Sequence, residues 1–228
     1  MNSSKKSILN SNFTYLAAFV LPVIMMMALY YTRGIFPWGN ECYLRSDMYH
    51  QYAPFFSELW HKIRNGESLT YSWNIGMGTN FTSLFAYYLA SPSNWFVALF
   101  PQKYTIEIMN AFIILKIAGS SLSLTYYLTK HNNNKHVIAA IFGMFYGMSG
   151  FIAAYSWNIM WLDCVILIPL IMLGLERLVN ENRCIFYCIT LGLCIFTNYY
   201  IAIMVCLSVV IYYVVLMIAY NGIKSPMQ

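Results

Sequence analysis

From Cys184 to Ile223 the chain runs forty residues without a single Asp, Glu, Lys or Arg, and it opens with a second such run from Phe13 to Tyr31. No water-soluble fold can hide that much continuous apolar backbone. A helix needs about 20 apolar residues to cross the roughly 30 Å hydrocarbon core of a bilayer, and the first run has that length. The charged share of the chain is 9% and its hydrophobic share 60%, whereas a soluble domain carries roughly 25% charge to coat its surface. The expected solvent is lipid.

Reading the uncharged runs in order gives a set of spans. The first is 13–31, interrupted mildly by Pro22; the second is 104–129, with Lys116 mid-run; the third is 137–155; the fourth is 158–175, with Asp163 inside it. The run from 184 to 223 is long enough for two more, with a turn near Asn198-Tyr199-Tyr200. The expectation is therefore an all-α integral membrane protein with about six transmembrane helices. Lys5 and Lys6 ahead of the first run look like a signal-peptide flank, but no small-residue cleavage site follows, so this run reads as a retained helix.

The topology turns on residues 84–100, an apolar stretch broken by Ser91-Pro92-Ser93-Asn94. If it does not cross, Lys5, Lys6, Lys130, Lys135, Arg177, Arg183 and Lys224 lie on one side, against Arg33, Arg45, Lys62, Arg64 and Lys103 on the other. If it does cross, the cytoplasmic side keeps only Lys5, Lys6 and Lys103. Short cytoplasmic loops carry the excess of Lys and Arg, so 84–100 is expected to be a re-entrant or interfacial hairpin within a large outer loop, 32–103. Such irregular backbone must be buried in protein or line a wet cavity. The same topology puts all six tryptophans near one interface, as an aromatic belt requires. The net charge of +5 then reports orientation, with no stripe of the kind nucleic acid would call for.

Within that loop, Pro54 and Gly66 bracket a helix in which Phe55, Phe56, Leu59, Trp60 and Ile63 form an apolar face and Glu58, His61, Lys62 and Arg64 a polar one. A short amphipathic helix of this kind is expected to lie among lipid headgroups. Asp47 precedes it. A carboxylate there has three readings: a general base on a hydroxyl, an oxygen ligand for a divalent cation, or a helix-start cap. Arg45 can pair with Asp47 or bind phosphate through its fork of donors; His50 titrates near neutrality or is a plain surface residue. Asp163 is an intramembrane carboxylate, which is costly unless it faces a cavity or a partner. Glu107 is placed to share that cavity, and Lys116 to pair with Asp163 or attract an anionic headgroup. The loop 71–81 mixes amides, hydroxyls and aromatics in a way that suits sugar or headgroup contacts. Arg45, Tyr49, His50, Asn80, Glu107, Lys116, Asn158 and Asp163 are thus the candidate substrate-binding residues, with Asp47 the candidate catalytic one. The cysteines read as small buried hydrophobes and no metal site is expected. Phosphate-loop, Rossmann, HExxH and GxSxG motifs are missing from the sequence.

The segments Ser46-Asp47-Met48-Tyr49-His50-Gln51-Tyr52-Ala53-Pro54-Phe55-Phe56, Tyr71-Ser72-Trp73-Asn74-Ile75-Gly76-Met77-Gly78-Thr79-Asn80 and Asn198-Tyr199-Tyr200 resemble the YfhO family of bacterial membrane proteins, which is similar to GT-C class glycosyltransferases. The resemblance implies a GT-C-like fold and a chain corresponding to the N-terminal part of a longer protein. It also implies a polyprenyl-phosphate-linked sugar as donor, a cell-surface polymer such as a teichoic acid as acceptor, and Asp47 as the base that activates the acceptor hydroxyl. Arg45 or Lys116 would stabilise the departing lipid phosphate, with a divalent cation as an optional cofactor. Two other functions stay open: a transporter or flippase of a lipid-linked sugar, with Asp163, Glu107 and Lys116 along the route, and a non-catalytic membrane segment that binds partners.

Overall fold

A computed structural model of the chain describes residues 2–133 and 137–224, with side chains from 12–133 and 137–219. Lys135 and the side chains of Lys5, Lys6 and Lys224, which entered the charge count above, lie outside the described residues.

The helices follow the uncharged runs closely. They are α1 (Asn2–Thr32), α2 (Ala53–Asn65), α3 (Phe81–Leu84), α4 (Thr105–His131), α5 (Val137–Gly147), α6 (Gly150–Tyr155), α7 (Leu162–Glu181), α8 (Ile185–Thr197) and α9 (Tyr199–Lys224). The only strands among the described residues, β1 (Tyr71–Ser72) and β2 (Thr79–Asn80), make one small antiparallel hairpin. Five segments are long and apolar enough to cross a membrane: 12–32, 102–131, 137–155, 159–181 and 199–219. The expected fifth of six spans is the thirteen-residue α8. At 1.5 Å per residue it is about 20 Å long and falls short of the hydrocarbon thickness.

The arrangement is a bundle with one elaborated end. Tyr15, midway along α1, hydrogen-bonds Thr129, near the end of α4, at 2.8 Å, while Met26 and Leu29, later in α1, line the same cavity as Ile117, earlier in α4. The two helices are therefore antiparallel, and residues 33–104 leave and rejoin the bundle at the same end, called here the loop end. The stretch 84–100 folds back as expected: a π-helical turn at Phe85–Leu89, then a 3-10 helix at Pro92–Leu99. All six tryptophans belong to the loop end.

Two close approaches hold the bundle together. Gly143 and Gly147 sit one turn apart on α5, facing α4. A Cβ on Gly143 would run into the Thr125 hydroxyl and the Ser121 carbonyl, and one on Gly147 would come within 2.7 Å of the Ile117 carbonyl. Small residues at this spacing let two membrane helices approach where apolar burial gives little drive. The second contact is polar: Glu176 of α7 accepts from the hydroxyl of Tyr127 (α4) at 2.8 Å and from that of Tyr212 (α9), tying three helices at the end away from the loop.

Helix α2 has the predicted bounds, closed by Gly66 in the left-handed conformation at φ 65. What it faces differs from expectation. Phe56 and Leu59 are fully buried against the protein core rather than among headgroups. Half of the polar face is covered too, Arg64 staying exposed and His61 partly so. Buried Glu58 accepts from Ser72 Oγ at 2.6 Å and Asn74 Nδ2 at 2.9 Å, while buried Lys62 donates to the carbonyls of Ser68 and Tyr71. The loop that follows α2 folds over it. Burial alone would raise the Glu58 carboxyl, but those hydrogen bonds and the Lys62 charge outweigh it and hold it below its usual value.

Candidate functional site

Asp47 sits on a short arch between two buried anchors, Leu44 and Met48. Between them Arg45, Ser46 and Asp47 are all exposed. Ser46 adopts a left-handed backbone at φ 48, a conformation that costs a non-glycine residue about 1–2 kcal/mol. Asp47 then leads into a π-helical turn, Met48–Tyr52, yet its side chain caps nothing. Among the described residues neither Asp47 nor Arg45 enters an ion pair. The capping role, one of the three readings of Asp47, is thus not taken up.

The arch is fixed to the bundle by what flanks it. Tyr52 is buried, donates to Asn158 Oδ1 at 3.0 Å, and stacks its ring on Trp157 with centroids 6.3 Å apart. Burial and then the nearby Asp47 charge raise the Tyr52 phenol above its usual value, so it stays protonated and can serve as this donor. Tyr43 hydrogen-bonds Ser156 at 2.7 Å. The segment 156–158, between α6 and α7, thus holds the loop from below. Asn158 acts here as a positioning residue for Tyr52.

Two cavities flank the arch. The larger, about 840 Å³, lies between α1, the 33–45 segment, α4 and α5–α6. Met26, Leu29, Ile117, Met148 and Ile152 make its apolar walls, and Arg33, Arg45 and Glu41 its charged rim. Asp47 is two residues from Arg45, so its Cα lies within about 7 Å of that rim residue's. The smaller, about 550 Å³, opens on the other side of the π-helical turn, where Gln51 lines it. Both volumes are in the usual range of small-molecule sites, roughly 300–1,000 Å³.

The other candidates divide. Lys116 is buried and pairs with Asp163 at 2.6 Å, so of its two readings the pairing is the one realised. Its remaining contacts are Ser91 Oγ at 3.4 Å and the Ile159 carbonyl at 3.2 Å. Glu107, nine residues and so about 13.5 Å up the helix axis, joins neither partner; one of its carboxyl oxygens is buried without a hydrogen bond. Glu107, Lys116 and Asp163 line neither cavity. Asn80 caps α3 by accepting from Ser83 N at 3.3 Å. Tyr49 and His50 are exposed, edge-to-face at 5.3 Å, and likewise outside both cavities. Among the described residues no three His, Cys, Asp or Glu side chains converge, so a divalent cation at Asp47 would take its other ligands from substrate or water.

Sequence reasoning missed Arg33, Glu41 and the tyrosines of the smaller cavity. Arg33 carried a signal, since it is the first charge after a span. Tyr199 lies in the Asn198-Tyr199-Tyr200 motif, whereas Tyr87 and Tyr88 carried no signal, because Tyr87 meets Tyr199 only across more than a hundred residues.

The family model described as bacterial membrane protein YfhO matches residues 17–228. No curated protein and no solved structure matches the chain.

Proposed function

The chain belongs to the YfhO family of bacterial membrane proteins, and on that footing we propose that it transfers a sugar from a polyprenyl-phosphate carrier to a cell-surface polymer, with the loop end facing the exterior. One observation carries this reading: an exposed carboxylate, making no cap bond and, among the described residues, no ion pair, stands two residues from an arginine at the rim of a cavity with apolar walls. A lipid-linked sugar phosphate has the matching build, with an apolar chain for the walls and an anionic phosphate for Arg45 and Arg33.

In the proposed step an acceptor hydroxyl oxygen bonds to the sugar's anomeric carbon as the bond from that carbon to the phosphate oxygen breaks. The hydroxyl proton passes to Asp47. The electron pair leaves with the lipid phosphate, whose added charge Arg45 offsets. Lys116 has no part in the step, because its charge is already engaged by Asp163. The test is Asp47→Asn introduced in the cell, scored by the sugar content of the wall polymer at matched protein level. Loss of the sugar is the expected result; unchanged decoration rejects the catalytic role.

A further inference from the structure

The smaller cavity is the strongest feature outside the donor side of the site. Part of its wall comes from the two motif segments that the transfer step leaves unused, the rest from Gln51, Phe55 and the 83–88 segment. Tyr199, from the Asn198-Tyr199-Tyr200 motif, faces the glycine-containing loop 75–79 across the cleft. Asn198 is fully buried and donates through Nδ2 to the carbonyl of Tyr87 at 3.1 Å, while its Oδ1 accepts from Ile201 N at 2.9 Å. One side chain thus caps α9 and fixes the π-helical turn 85–89. The rings of Tyr87 and Tyr199 meet at 5.6 Å, and those of Tyr87 and Tyr88 at 4.6 Å, so the aromatic wall is pre-arranged.

The lining chemistry is narrow. Tyr87, Tyr88, Tyr199 and Phe55 give aromatic faces, and Gln51, Thr79 and Ser83 give neutral donors and acceptors. Gly76 adds bare backbone, with nothing within 4 Å of where its Cβ would be. Among the described residues no charged one lines the cleft, in contrast to the arginine-rimmed cavity on the other side of Asp47. Aromatic faces suit the C–H faces of a pyranose or polyol, and neutral polar groups suit its hydroxyls. An anion would find no counter-charge here.

We propose that this cleft binds a neutral polyhydroxyl ligand, a sugar or polyol end. Its assignment as the acceptor site rests on the transferase reading, since Gln51 is four residues past Asp47, on the π-helical turn that Asp47 leads into. The test uses the whole chain in lipid nanodiscs with a neutral methyl hexopyranoside as probe, read by saturation-transfer NMR. The expected result is transfer to the sugar ring protons that falls at least fivefold in Tyr199→Ala and Gly76→Val, persists in Tyr199→Phe, and is absent for a hexuronate. Asp47→Asn is expected to keep the signal, so a failure of the catalytic reading leaves this site standing. No signal in the wild-type chain, a signal indifferent to both cleft variants in correctly folded protein, or equal signals from the neutral and anionic probes would each overturn the proposal.

Discussion

Lys116 and Asp163, 47 residues apart in sequence, meet at 2.6 Å inside the bundle, and the same ammonium reaches Ser91 Oγ at the tip of the folded-back segment. One buried cation therefore fastens α4, α7 and the 84–100 hairpin together. Removing one member leaves the other charged and unpaired away from water, at a cost of about 3–5 kcal/mol. Lys116→Met and Asp163→Leu are each expected to lower the melting temperature in detergent. The double variant is expected to recover much of the loss, because no orphan charge remains. Additive losses in the double variant would show that the pair is not the joint.

Arg45 is expected to hold the lipid phosphate. A hydrogen bond to a charged group contributes about 1.5–3 kcal/mol, so Arg45→Gln should weaken retention of polyprenyl phosphate at least about tenfold. Quantifying co-purified lipid by mass spectrometry checks this, with Arg64→Gln, outside both cavities, as the comparison.

Glu58 sets a pH limit on the loop that covers α2. Its carboxyl is held below the ordinary value of 4.5, so the folded form favours the ionised state. The stabilisation is complete above pH 4.5 and is lost as the pH falls below it through the folded value. Limited proteolysis between 66 and 78 is expected to stay slow down to about pH 4.5 and to accelerate below it. In Glu58→Gln, which removes the buried carboxylate 3.6 Å from the Lys62 ammonium, cleavage should be fast at neutral pH as well.

The bundle orientation has a direct readout in two native thiols. Cys42 is exposed on the loop end and Cys184 is exposed at the far end, just before α8. In single-cysteine versions, a membrane-impermeant maleimide applied to intact cells is expected to label Cys42 and spare Cys184. The reverse pattern would invert the protein.

Much of this architecture was written in the spacing of charges. The uncharged runs located α1, α4, α7 and the α8–α9 pair, and the Lys and Arg distribution alone required 84–100 to fold back. Pro54 and Gly66 bracketed α2 to within a residue. The polar face of α2 was a different matter: helical periodicity says that Glu58 and Lys62 share a side, not that a later loop will bury both. Likewise Asp163 announced itself as an intramembrane charge, but its partner was decided by packing. Asn80 looked like a ligand residue because amides serve both sugars and helix caps, and only the three-dimensional position of Ser83 separates the two. Tyr87 and Asn198 lie 111 residues apart, and no local pattern marks such a meeting.

The α4–α5 contact gives a control for structural damage that lies away from the site. Gly143→Val places a branched side chain against Thr125 and the Ser121 carbonyl, and overpacking of this kind costs about 1–3 kcal/mol. A lower melting temperature with an unchanged affinity for lipid phosphate is the expected outcome.

The most direct measurement is turnover by purified protein supplied with a polyprenyl-phosphate-linked sugar and a polyhydroxyl acceptor, following release of the lipid phosphate. A positioned general base contributes about 10²–10⁴-fold, so Asp47→Asn is expected to slow release by at least about a hundredfold while retaining bound lipid. Release at the wild-type rate by Asp47→Asn would contradict the assignment of Asp47 as the base.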